Sequence, residues 1–578
     1  MNVTRRVFIG GVAAFVLDPS MLQAGESGSP RLRIGVMTDT HVGKTKESCS
    51  RARLACEMFR DMGVDLLVNV GDVADCHYPS GYKAYREMIE ETFANVPAGL
   101  RPKELFVYAG HDANFYGGHP RSQARKYAPE AFADMQKLIG ASNGPYAEGE
   151  VRGFPYVVIP EYYGRDGKVD YDRFERMLSD AEKAHPGKPV FVFAHVPPYG
   201  TTRNGRGLPG KRAVLDRHPR AINISGHVHG SLRDERAIWQ GNFTSVSAGC
   251  LQNWGGDLPG NMEGRKQNFG AMLVEVFDGR VVFRRFDVRD GKEYCASSPW
   301  TIPWPFDPAT APYRPGARAR ASGVPQFASG AEIKIKADAD PCGRIDVGFP
   351  AVAGDVRPFA YRIELQRKTG GEWRCCARQD VFGDFWQSEK ERKAKIVQRF
   401  SAAYFEEGGE CRVEVVPRNC WGAEGKGIVK TFTAPKNIRR GETVWESLDP
   451  MKDCAFYKGY SGERKVPVTD GFASMGGESA RLMLPDGAWE GPDGARFRLV
   501  LDMRTIEEES PRLMVGLRSS RPGAVSSRKM STPGGDCGTL RYVMELERPA
   551  AEKSYHLLFV PGGGVRVRIE RIKIERMR

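Results

Sequence analysis

The stretch Leu32-Arg33-Ile34-Gly35-Val36-Met37-Thr38-Asp39-Thr40-His41 decides how this chain is read. A mostly apolar run of six residues has the look of a buried strand, and polar residues begin where it ends. Asp39 and His41 stand two apart, so at a strand end they project to the same side and can grip one ion together. Four later blocks repeat the arrangement: Gly71-Asp72-Val73-Ala74-Asp75, Gly110-His111-Asp112, Ala194-His195-Val196-Pro197-Pro198 and Gly226-His227-Val228-His229. Each follows an apolar run, at 66–70, 105–108, 190–193 and 222–224, and another such run covers 156–159. Helical patterns at 49–62 and 82–93 fall between them. Strands alternating with helices predict an α/β layered fold. In that fold the ends of parallel strands share one edge, so all five blocks can converge.

The histidines point the same way. Nine of the ten lie between His41 and His229, and only His556 lies elsewhere. Histidine is the commonest transition-metal ligand. His227 and His229 follow a glycine, where the chain can turn and aim each ring differently. Asp72 also follows a glycine, and its two carboxylate oxygens can bridge two ions.

In this order and spacing the blocks resemble the calcineurin-like metallophosphoesterase superfamily, which includes the purple acid phosphatases, over residues 31–291. The resemblance implies a four-layer α/β/β/α sandwich. It also implies roles: Asp39, His41 and His229 hold a first metal, Asp72 bridges, and His195 and His227 hold a second. His111 would protonate the leaving oxygen, with Asp112 orienting its ring. Imidazoles with carboxylates suit divalent transition metals, one or two per chain, of the Mn, Fe, Zn or Ni kind. Two such ions can clamp a phosphoryl group and activate water for in-line attack. One block departs from the family pattern, because Gly110 stands where the family has an asparagine ligand. Glycine offers no side-chain oxygen, so the second position is expected to be weak, empty, or completed by water or by Asn114.

Residues 1–24 are read as an address. Thr4-Arg5-Arg6-Val7-Phe8-Ile9 resembles the twin-arginine export signal, an apolar run to Leu17 follows, and Leu22-Gln23-Ala24 offers a cleavage point. The expected location of the mature chain is periplasmic or extracellular, with no transmembrane segment after cleavage. The formal charge of +13 suits phosphorylated or acidic partners. The Lys and Arg residues are scattered rather than clustered, which argues against nucleic acid as the main partner. Twelve cysteines allow disulfides in an exported chain without requiring them.

Prolines crowd residues 292–325, as in an extended linker. Beyond it the helical period fades. Alternating runs at 359–366, 372–380 and 411–417 predict a β-sandwich over 326–436, resembling fibronectin type III modules. Runs at 495–503, 540–546, 554–560 and 565–574 predict a second β-sandwich over 441–578, resembling the jelly rolls appended to carbohydrate-active enzymes. The functional expectation is an exported phosphate-ester hydrolase, with diesters slightly favoured over monoesters by analogy with family members that carry a histidine acid. The alternative is a weakly active or non-catalytic scaffold that binds envelope or extracellular polysaccharide through its C-terminal domains.

Overall fold

The computed structural model describes residues 8–9, 12–13 and 28–577. Within that span it leaves out 78, 120–124, 162–167, 203–206, 253–268, 297, 338–343, 354–355, 384, 386–391, 406–407, 436–440, 460–463, 476–477, 493, 508–512, 520–527, 532–537, 548–554 and 562–563. The arginine pair and the cleavage point lie outside the described residues. The chain divides into two compact units, the first running to Ser322 and the second chiefly over 323–578.

The first unit is built on two sheets. One contains β1 (Leu32–Met37), β2 (Leu66–Asn69) and β3 (Lys103–Phe106), which run parallel. The other contains β4 (Ala147–Val151), β5 (Phe154–Val158), β6 (Val190–Phe193), β7 (Ala221–Ser225), β8 (Ile238–Gln240) and β9 (Thr244–Ser247). Its strand order is β8-β9-β7-β6-β5-β4, with β5, β6, β7 and β9 parallel. The first sheet is extended by a hairpin of β10 (Gly270–Phe277) and β11 (Arg280–Asp287), with β10 antiparallel to β1.

Alternation along each strand sorts the layers. Ile34 and Val36 of β1 join Val68, Phe191, Phe193, Ile222, Ile224 and Val274 in one core between the sheets. Met37, Leu67 and Phe106 point the other way, onto α1 (Ser48–Asp61), α2 (Pro79–Phe93) and α4 (Ala128–Ile139). The short α3 (Gly110–Ala113) lies between α2 and α4 in the chain. On the second sheet Val157, Val190 and Val192 pack with Phe174 and Leu178 of α5 (Tyr171–Ala184) and with Val214 of α6 (Pro209–Leu215). Both faces of the parallel strands are thus covered, which is why they read as unbroken apolar runs.

Residues 292–325 depart from the expected linker. β12 (Lys292–Tyr294) and β13 (Trp300–Pro303) both pair antiparallel with β11 and complete the sheet. Pro303 ends a strand that has one ladder partner, where a missing N–H costs little. Trp300 and Ile302 are buried in the core between the sheets. Pro315 then opens α7 (Pro315–Ala321), a first-turn position that suits its fixed φ.

The second unit is rich in antiparallel strands. A three-stranded sheet (Lys334–Ala337, Arg344–Pro350, Lys395–Ser401) and a four-stranded sheet (Glu372–Phe382, Ala360–Thr369, Glu410–Arg418, Ile428–Thr433) enclose Ile345, Val347, Ile363, Val413 and Val415. Farther on, sheets of six and five strands enclose Leu499, Leu501, Ile572, Leu517, Leu557 and Phe559. Cys49, Cys56, Cys295, Cys376 and Cys454 are free thiols. No helix among the described residues is long and apolar enough to cross a membrane.

Candidate metal centre

Asp39 and His41 follow β1, Asp72 follows β2, His195 follows β6, and His227 and His229 follow β7. Parallel strands end on one edge, and these six side chains meet there. Asp39, His41, Asp72 and His229 form a four-residue group in which one ligand atom from each lies within 4.8 Å of the others. Nε2 of His229 is 2.9 Å from Asp39 Oδ1 and 3.2 Å from Nε2 of His41. Asp72 Oδ2 stands 3.7 Å from Nε2 of His41 and 3.2 Å from Nε2 of His195. One carboxylate oxygen therefore faces both halves of the site. The ring of His227 meets that of His195 edge-on, with centroids 5.4 Å apart.

The backbone is bent to bring these atoms inward. Asp39, His41, Asp72, His227 and His229 all have positive φ, between 41° and 70°. Such a conformation costs a non-glycine residue on the order of 1–3 kcal/mol, and strain of this kind collects at functional sites. Gly71, at φ 97°, removes an obstacle: a Cβ there would come within 2.8 Å of the His195 ring and 2.7 Å of Ala109 Cβ. Main-chain N–H groups hold the carboxylates. Asp39 Oδ2 accepts from the His227 N–H at 3.0 Å, and Asp72 Oδ1 accepts from the His111 N–H at 3.0 Å.

The donor set fits a cation. His195 Nδ1 donates to the Val70 carbonyl at 2.8 Å, which leaves Nε2 as the free lone pair and aims it inward. That Nε2 and Asp39 Oδ1 are buried and make no hydrogen bond of proper geometry, despite carboxylate and imidazole neighbours at ion-pair distance. Buried polar atoms are rarely left so, and a shared cation satisfies all of them at once. The electrostatics agree. Burial alone would lower the His195 pKa, but Asp72 and Asp39 outweigh it and raise the imidazole to about 10. Burial likewise opposes ionisation of Asp39, yet His229 and His195 hold its carboxyl below the usual range. Carboxylates whose charge keeps a proton on a buried imidazole attract a divalent ion for the same reason.

His111 lies at the rim of this group, its ring edge-on to His41 with centroids 4.6 Å apart. Its Nδ1 donates to the backbone carbonyl of Asp75 at 2.6 Å. Asp112, expected to orient the His111 ring, directs its side-chain hydrogen bonds elsewhere. Asp112 is buried, and its Oδ1 accepts from the Ala74 N–H at 3.1 Å and from the Tyr82 hydroxyl at 3.3 Å. Burial, and then the charge of Asp72, raise its carboxyl pKa. On the helical turn of α3, adjacent side chains point about 100° apart, so residues 111 and 112 diverge. Asp75 takes that place instead: Oδ1 is 3.2 Å from Nδ1 of His41 and 3.6 Å from Nδ1 of His111. His41, with help from Lys44, holds the Asp75 carboxyl down to about 2.

Two residues near this group were given no role in the sequence reading. Asp75 stood in the second block without a role. Glu161 follows the apolar run at 156–159, the same strand-then-polar signal as the other blocks. The remaining histidines of the first unit have structural partners. His77 bridges the Asp112 carbonyl and Asp134, His218 sits between Glu175 and Glu182, and His119 stacks on Tyr127. His185 caps α5 and lies 3.4 Å from Glu150. Asn114 caps the end of α3, and its backbone carbonyl accepts from the His77 N–H at 2.9 Å.

The family model described as calcineurin-like phosphoesterase matches residues 32–231, which span all the strand-end blocks. Residues 32–231 form a calcineurin-like phosphoesterase domain. The phosphoesterase domain makes this chain a metal-dependent phosphoesterase, a hydrolase. Among solved structures, the chain is similar to a dimetal phosphatase from Danio rerio at 13% identity, over 48% of this chain and 100% of that one, with a TM-score of 0.34. It is similar to a purple acid phosphatase from yellow lupin (Lupinus luteus) seeds at 14% identity, over 47% and 53%, with a TM-score of 0.33. A tandem CBM22 domain from Paenibacillus barcinonensis is similar at 9% identity, over 43% and 92%, with a TM-score of 0.19. No curated protein matches the sequence.

Proposed function

We propose that this chain is an exported hydrolase of phosphate esters, with diesters slightly favoured over monoesters. The observation that carries the reading is the meeting of Asp39, His41, Asp72 and His229 within 4.8 Å, beside the unsatisfied Nε2 of His195. Asp39, His41 and His229 would hold one divalent ion, Asp72 would bridge, and His195 and His227 would hold the other. When bound, such ions supply Lewis acidity toward the phosphoryl oxygens and make water a nucleophile at neutral pH. His111, anchored through Nδ1 to the Asp75 carbonyl, keeps its other ring nitrogen to pass a proton to the leaving oxygen. The preference for diesters rests on analogy with family members that carry a histidine acid; protonation by His111 would aid a poor alkoxide leaving group in either class.

The finer fold reading is a four-layer α/β/β/α sandwich followed by fibronectin-type-III-like and jelly-roll-like domains, supported by the sheet pairs and by the cores between them. Export through the twin-arginine route rests on the leader sequence. Envelope or extracellular polysaccharide is the proposed partner of the C-terminal domains, and a glycan array tests it.

Chromogenic mono- and diesters assayed with Mn, Zn, Fe and Ni test the activity. Turnover of a diester above the corresponding monoester is expected. A monoester preference would overturn the diester reading, and no metal-dependent turnover of either class would overturn the proposed activity.

A further inference from the structure

The second metal position, as drawn from Asp72, His195 and His227, has three protein donors. Gly110 adds none. A carboxylate nevertheless stands at that glycine. Glu161 Oε2 accepts a hydrogen bond from the Gly110 N–H at 2.6 Å. A Cβ at residue 110 would lie 2.9 Å from Oε2 and 3.3 Å from Oε1, so the carboxylate fills the space that a side chain there would enter. The backbone fixes this placement from two sides. The Glu161 N–H donates to the Tyr108 carbonyl at 3.0 Å, and the Ile159 N–H donates to the Phe193 carbonyl at 3.1 Å, two residues before His195. The strand that leads to Glu161 is therefore laced to the segments that carry Gly110 and His195. A Cβ at Gly71 would meet both the His195 ring and the Cβ of Ala109, the residue before Gly110. The charge of Glu161 also bears on the His195 imidazole and on the buried Lys211 ammonium.

We propose that Glu161 is a ligand of the second metal position, giving it a closed set of Asp72, His195, His227 and Glu161. The inference rests on the metallophosphoesterase reading above and deepens it. Gly110 then makes room for the ligand, because a Cβ there would press on the Glu161 carboxylate. Its φ is not positive, so backbone conformation gives no reason for glycine at this place. The chemistry has a consequence. With Asp39 and Asp72, Glu161 brings three carboxylates to a pair of divalent ions, one negative charge more than a neutral amide would give. The second ion should be held tightly and survive dialysis.

The test measures metal, not turnover. Full-length protein, Glu161→Gln, Glu161→Ala and Gly110→Asn/Glu161→Ala are loaded with Mn, dialysed and analysed for bound ions, and titrated with Mn by calorimetry. Circular dichroism checks that each variant is folded. The unmodified protein is expected to keep about two ions. Glu161→Ala is expected to keep about one, its second site weakened ~100-fold or more, beyond what loss of an outer partner costs. Glu161→Gln retains an acceptor for the Gly110 N–H but loses the charge, so it separates ligation from loop anchoring: a weakened second site is expected in this variant too. The double variant should regain the second ion through the asparagine oxygen. Two tightly held ions in both Glu161 variants would overturn the proposal and leave Glu161 as a loop anchor. A single ion in the unmodified protein, unaffected by either substitution, would overturn it as well. An unmodified protein that holds no transition metal would instead overturn the metal-centre reading on which it rests.

Discussion

Nε2 of His41 and Nε2 of His229 face each other at 3.2 Å, each also directed at a buried carboxylate. Two imidazole lone pairs do not approach so closely without a proton or a cation between them. On the proposed function the pair belongs to the first metal position.

Replacing either side of that position should empty it. Asp39→Ala and His229→Ala are expected to lose the first ion and to lower kcat/KM by ~1000-fold or more, since Lewis acidity contributes several kcal/mol. Elemental analysis beside diester turnover checks this. Retention of both ions with full turnover would remove Asp39 and His229 from the centre.

His111→Ala should slow esters with poor leaving groups by ~10²–10⁴-fold and activated aryl esters much less. Asp112→Asn should leave that leaving-group dependence unchanged, because the Asp112 carboxyl contacts Ala74 and Tyr82 rather than the His111 ring. A plot of log kcat against leaving-group pKa for each variant separates the two. A steeper slope in Asp112→Asn would restore Asp112 to an orienting role.

His218 offers a pH-dependent test of stability. Burial lowers its pKa, but hydrogen bonds to Glu182 and Glu175 outweigh this and raise it above the usual imidazole value. A group raised on folding stabilises the protein fully below its unfolded pKa, and that contribution fades as pH rises through the folded value. His218→Gln should therefore cost about 2 kcal/mol at pH 6, as for hydrogen bonds to charged partners, and less at pH 9. Denaturant midpoints at the two pH values measure it; an equal loss at both would show that the imidazole acts through packing alone.

Excising the phosphoesterase domain should succeed at residue 322 and fail at 291. The shorter fragment loses β12, β13 and the buried Trp300, whose Nε1 donates to Glu235 at 2.9 Å. Removing a buried tryptophan alone costs ~3–5 kcal/mol. Thermal unfolding of 28–322 and 31–291 decides it, and equal midpoints would return residues 292–322 to a linker.

Replacing Arg5 and Arg6 with lysines should trap the precursor inside the cell, if the leader is read by the twin-arginine route. Fractionation and immunoblotting report it. Export at the normal level would exclude that route.

The sequence by itself carried the strand-end blocks, because parallel strands buried on both faces leave unbroken apolar runs whose polar successors must gather at one edge. Asp39, His41, Asp72, His195, His227 and His229 were legible for that reason. Beyond them, direction mattered more than position. Asp75 rather than Asp112 serves the rim because α3 turns residues 111 and 112 apart, a matter of local φ and ψ that no spacing reveals. β13 was hidden under its prolines, since a strand with one ladder partner tolerates them and only the neighbouring β11 shows that it is paired. Glu161 lies 51 residues from Gly110 along the chain, and only the folded sheet brings its carboxylate against that glycine N–H. A polar residue after a strand was visible there; which missing group it stands beside was decided by tertiary structure alone.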